Sequence, residues 1–128
     1  MPETVVLDAS AVLAVIRGEP GAAEVESLDS PPYLSAVNAA EVLSVLGRTG
    51  ISASRAGHIL DALQLRVVPF VPQLAAPVAA LHVHARPHGL SLGDAACLAT
   101  AAAMGAVVYT ADRAWRALDV GVEIRLIR

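Results

Sequence analysis

The chain has 128 residues, 55% of them hydrophobic and 16% charged, which fits one domain that buries its own core and excludes a disordered segment. A single cysteine, Cys97, excludes an internal disulfide and a multi-cysteine zinc site. The formal net charge is −3, so nothing in the total advertises a polyanion partner, although acids gathered around a cation would present a positive face to phosphate.

Short β-branched runs alternate with longer helical patterns, which predicts an α/β domain with a parallel sheet. Thr4 to Leu7 reads as a buried first strand, and Ser10 as the cap of a helix running to Arg17 and closed by Gly18. A short helix is expected over Gly21 to Leu28, a break at Pro31-Pro32, and a strand over Tyr33 to Ser35. The helix that follows runs through Leu46, with Ala39, Val42, Leu43 and Leu46 as its apolar stripe. Ser52 to Leu65 is a further helix and Val67 to Phe70 a further strand.

Pro72 to Arg86 has a helical pattern, with Pro77 marking a kink or a start. Ser91 caps a helix through Met104, which Gly105 ends; Ala106 to Tyr109 is a buried strand. A short helix at Arg113 to Leu118 and a strand at Glu123 to Ile127 complete the chain, and residues 1–128 read as one domain. The uncharged stretch between Asp94 and Asp112 is too short and alanine-rich to cross a bilayer, which takes about 20 strongly apolar residues. The opening MPETVVLDAS lacks a basic region, so no secretory signal and a cytoplasmic location are expected.

Four acids stand out. Asp8 ends the first strand and Asp112 follows the strand that ends near Tyr109, and parallel sheets bind ligands beyond the carboxyl ends of their strands. Asp94 lies in the first turn of its helix and Glu41 about two turns into another. Each has a bland alternative: Asp8 and Asp112 can cap the helices after them, and Ser91-x-x-Asp94 is a capping-box variant. Glu41 resists that reading, because it is the only charge between Asp29 and Arg48.

Carboxylates that converge repel one another unless a cation neutralises them. All-oxygen donors favour Mg2+ or Mn2+, which activate water and stabilise charge in phosphodiester cleavage. Ser10 and Thr110 stand beside the acids and can orient them or bound water. Arg17, Arg86 and Arg113 can contact phosphates, Arg113 best placed beside Asp112. His82, His84 and His88 do not share a helical face, which argues against a histidine metal site. The nine strongly basic residues are all arginine. Without lysine, P-loop, receiver-type and haloacid-dehalogenase-type phosphate chemistry is excluded.

The residues resemble the PIN-domain nucleases, particularly the VapC-type toxins of toxin–antitoxin systems. The marks are VVLDASA at 5–11, NAAE at 38–41, LSLGDAACLATA at 90–101 and YTADRAW at 109–115. The resemblance implies a three-layer α/β/α sandwich with a mainly parallel sheet and Mg2+- or Mn2+-dependent endoribonuclease activity. It carries over Asp8, Glu41, Asp94 and Asp112 as the catalytic and metal-binding set, with Ser10 and Thr110 supporting. It also implies a homodimer and a cognate VapB-type antitoxin, a DNA-binding protein whose tail covers the active site. The alternative is a non-catalytic PIN-like module that binds RNA or protein, which has little reason to collect four repelling carboxylates.

Overall fold

The computed structural model describes residues 3–128. Five strands, β1 (Val5–Leu7), β2 (Tyr33–Ser35), β3 (Arg66–Val68), β4 (Val107–Thr110) and β5 (Ile124–Leu126), form one sheet of order β3-β2-β1-β4-β5. Every pairing is parallel: Val6 sits opposite Tyr33 and Val108, and Tyr109 opposite Arg125. Parallel strands need crossovers, and six helices supply them: α1 (Ala9–Arg17), α2 (Ala22–Glu26), α3 (Ala36–Arg48), α4 (Ala53–Ala62), α5 (Ala75–Ala85) and α6 (Leu92–Met104).

The helices cover both faces, so the expected three-layer α/β/α sandwich is the observed one. Val5 and Leu7 of β1 pack with α1 to α4, through Ala11, Val12, Val42, Leu46 and Leu60. Val6, between them, faces the other layer with Val108 of β4, Val78 of α5, Leu98 of α6 and Trp115. This alternation follows from successive strand side chains pointing to opposite faces. Helix α6 lies close to the sheet because Ala95, Ala96, Ala99 and Ala101 are small and almost fully buried. Among the described residues, no helix is long and apolar enough to cross a membrane.

Several boundaries differ from those expected, each for a local reason. Asp8, not Ser10, caps α1, its carboxylate accepting the Ala11 N–H; Gly18 closes the helix at φ 62°, as expected. Helix α4 stops at Ala62, and the chain turns through Gln64 at φ 55°, which a non-glycine residue seldom adopts. Pro77 neither kinks nor begins α5. It sits in that helix's first turn, where its missing N–H has no intrahelical partner to lose, and the 3-10 turn Pro72–Leu74 precedes it. The segment Arg113–Ala117 is also 3-10 rather than α-helical.

The chain leaves β1 toward β2 and β3, then returns to place β4 on the opposite side of β1. That reversal makes the carboxyl ends of β1 and β4 the topological switch point of the sheet, the usual ligand position in such folds.

Candidate functional site

Asp8 stands at this switch point, directly after β1, and is 4% exposed. Its Oδ1 accepts the Ala11 N–H at 2.9 Å. The Ser10 hydroxyl lies 2.7 and 2.8 Å from its two oxygens, and the Thr110 hydroxyl donates to Oδ2 at 2.5 Å. Burial pushes the Asp8 carboxyl up to about 6; the bonds from Thr110, Ala11 and Ser10 oppose that rise, and the charge of Asp94 adds to it.

The two hydroxyls tie β4 to β1. Thr110 accepts the Asp112 N–H at 3.0 Å, and Ser10 accepts the Ala111 N–H at 2.9 Å. Asp112 is thus joined to Asp8 through its backbone. Its exposed carboxylate caps the following 3-10 turn, accepting the Ala114 N–H at 3.0 Å.

Asp94 is the third residue of α6 and completes a capping box. Its Oδ2 accepts the Ser91 N–H at 3.0 Å while its own N–H donates to Ser91 Oγ at 3.1 Å. Glu41 projects from α3, half-buried, and its Oε1 accepts the Asn38 side-chain amide at 2.6 Å. The same amide reaches the Gly93 carbonyl at 3.1 Å.

The buried thiol of Cys97 reports how three of these acids gather. Burial raises it well above its ordinary value, and the charges of Asp8, Asp94 and Glu41 raise it further. The charges of Asp8, Asp94 and Glu41 thus all act on this one buried thiol, whereas Asp112 is exposed. The ion pairs among the described residues are Arg125 with Glu3 and Glu123, and Arg128 with Glu19; none involves these four acids.

The donors suit a divalent cation chemically. They are all oxygens, and none of the four is in an ion pair among the described residues. One buried oxygen nearby, Asn38 Oδ1, also has no hydrogen-bond partner. Among the described residues, no three such side chains stand close enough to enclose an ion by themselves.

Residues 5–121 match the family model described as the PIN domain. The chain belongs to the PIN-domain family. Solved structures share this PIN fold over nearly the whole chain. A chain of the DNA-bound VapBC complex of Salmonella typhimurium is 16% identical, with TM-score 0.76 over 98% of this chain and 99% of that one. FitAcB of Neisseria gonorrhoeae is 25% identical, with TM-score 0.68 over 94% and 96%. Mycobacterium tuberculosis VapC20, a sarcin–ricin-loop-cleaving toxin, is 20% identical, with TM-score 0.75 over 89% and 94%. No curated protein sequence matches significantly.

Arg113 is exposed and its Nε donates to the Arg128 carbonyl at 3.4 Å. The Nε2 of His84 lies 3.3 Å from the Asp119 carbonyl. Asn38 and Gly93 were not singled out in the sequence. The only hint was that Asn38 and Glu41 are three apart, hence on one helical face. Arg48 was also missed; it lines a shallow groove along α3 with Val37, Ala40, Glu41, Ser44 and Val45.

Proposed function

We propose that this PIN domain is a Mg2+- or Mn2+-dependent endoribonuclease acting as the toxin of a toxin–antitoxin pair. What supports this reading most is the placement of Asp8 directly after the central strand β1, with Asp94 adding its charge to Asp8 and none of Asp8, Asp94 and Glu41 in an ion pair among the described residues.

Asp8, Asp94 and Glu41 would hold the metal in part through bound water, with Asp112 acting through water or on a second metal. A bound divalent ion supplies an activated water and neutralises the phosphate that is cut. The chain's own part is orientation. Ser10 and Thr110, themselves 3.2 Å apart, both hold the Asp8 carboxylate, and the Ser91 N–H fixes one oxygen of Asp94. Arg48, on the groove beside Glu41, and the exposed Arg113 are the cations offered to the RNA backbone.

The partners follow from the same reading. Neighbours of this fold include VapBC complexes bound to DNA and a toxin that cleaves an RNA loop. The corresponding partners here are RNA, a VapB-type antitoxin that binds DNA, and a second copy of the chain in a homodimer.

The deciding experiment incubates antitoxin-free protein with total cellular RNA in EDTA, Mg2+ or Mn2+. The expected result is cleavage only with metal, leaving 5′-phosphate and 3′-hydroxyl ends. RNA left intact by the metal-replete protein would reject the catalytic reading.

A further inference from the structure

Glu41 is held by two residues that belong to different helices. Asn38 lies one turn before it on α3 and is 1% exposed. Its amide nitrogen donates to Glu41 Oε1 at 2.6 Å and to the Gly93 carbonyl, 55 residues away, at 3.1 Å. Both partners are acceptors, so the nitrogen must face them and the amide has only one workable orientation. This leaves the buried Asn38 Oδ1 without a hydrogen-bond partner. An apolar side chain would fill the same space without an unpaired buried oxygen. The amide is therefore justified by what its nitrogen holds.

Gly93 supplies the other half. A Cβ built there would stand 2.5 Å from Glu41 Oε1, 2.6 Å from Cδ and 2.7 Å from Oε2. The carboxylate thus rests against the bare Cα at the start of α6. Gly93 is not among the glycines of positive φ, so space rather than backbone freedom calls for glycine here. Within a helix, glycine is otherwise a poorer choice than alanine.

We propose that Asn38 and Gly93 are positioning residues that act through Glu41, one fixing Oε1 and the other providing a seat for the carboxylate. Oε2 is left for a divalent cation or its water. This rests on Glu41 being a metal ligand. Gly93 precedes Asp94 directly, so the same contact couples the placement of both acids to the junction of α3 with α6.

The test measures Mn2+ binding to the intact protein by calorimetry without RNA, alongside thermal melting. Asn38→Ala and Gly93→Ala are each expected to weaken Mn2+ binding about tenfold or more, as losses behind a metal ligand do. Gly93→Ala should melt at or above the wild-type temperature, because the clashing atoms end a flexible side chain that can swing away. Added to Glu41→Ala, neither change should weaken binding further, because the residue through which both act is already gone. Should Asn38→Ala not fold, Asn38→Asp is measured instead; it keeps the size but repels Glu41 and cannot donate to the Gly93 carbonyl. Either variant binding Mn2+ like wild type, or weakening Glu41→Ala by its full single-variant factor, overturns the proposal alone. Wild type that binds no Mn2+ overturns the metal-site reading, and the proposal with it.

Discussion

The Thr110 hydroxyl donates to Asp8 Oδ2 at 2.5 Å while accepting the Asp112 N–H at 3.0 Å. One fully buried side chain thus links an acid near the start of the chain to one near its end. It also fixes the order of donor and acceptor: the hydroxyl has a single hydrogen, and the carboxylate takes it.

Thr110→Val keeps the shape and removes both bonds. The expected cost is about 1–3 kcal/mol in a urea melt, because an Asp8 oxygen loses its donor and the Asp112 N–H its acceptor. RNA cleavage should fall about tenfold to a hundredfold, as for other residues that orient metal ligands. Thr110→Ser should restore most of both. Wild-type cleavage by Thr110→Val would show that the hydroxyl orients nothing of consequence.

The raised carboxyl of Asp8 predicts a pH dependence of stability in metal-free protein. Its folded value of about 6 exceeds the ordinary 3.8, so the folded state binds more protons across that interval. Stability from this group is greatest below about pH 4 and falls as pH rises to about 6. The loss is on the order of 3 kcal/mol at 1.36 kcal/mol per unit. Denaturant melts in EDTA check this: the stability of Asp8→Asn relative to wild type should improve steadily from pH 4 to pH 7. A pH-independent difference would contradict it.

Asp94 has separable duties. As a cap it accepts the Ser91 N–H, which an asparagine oxygen also does; as an anion it contributes charge, which asparagine lacks. Asp94→Asn should stay within about 1 kcal/mol of wild-type stability, and Asp94→Ala should lose roughly 1 kcal/mol more with its cap. Both should abolish metal-dependent cleavage. Cutting by Asp94→Asn at the wild-type rate would remove Asp94 from the catalytic set.

Gln64 tests the backbone. At φ 55° it turns the chain from α4 into β3, a conformation costing an L-residue about 1–2 kcal/mol that glycine escapes. Gln64→Gly should stabilise the protein by about 0.5–1 kcal/mol after glycine's greater unfolded-state freedom is subtracted. Denaturant melts measure it, and a loss of stability would contradict the prediction.

The local elements were legible because their signals are local. Gly18 and Gly105 end their helices as the sequence predicts, and Ser91 caps α6. Asp8 and Ser10 are both good caps, and only tertiary contacts decide between them. Ser10 is drawn instead to the Ala111 N–H, 101 residues away. The sheet order was not legible either, since no residue pattern says on which side of β1 the chain returns. Within the candidate site, the acids could be named from the sequence. The seat at Gly93 could not, because its meaning is a contact with a carboxylate on another helix.

The order of the strands bears on when the switch point can exist. β4 is fourth along the chain, yet it pairs directly with β1 near the centre of the sheet. During synthesis, β1 must wait for roughly a hundred further residues before this neighbour and its Thr110 hydroxyl emerge. Until then Asp8 lacks one of its two hydroxyl donors, and β1 has an open edge toward solvent. A half-made copy still on the ribosome therefore lacks the complete arrangement of acids and hydroxyls.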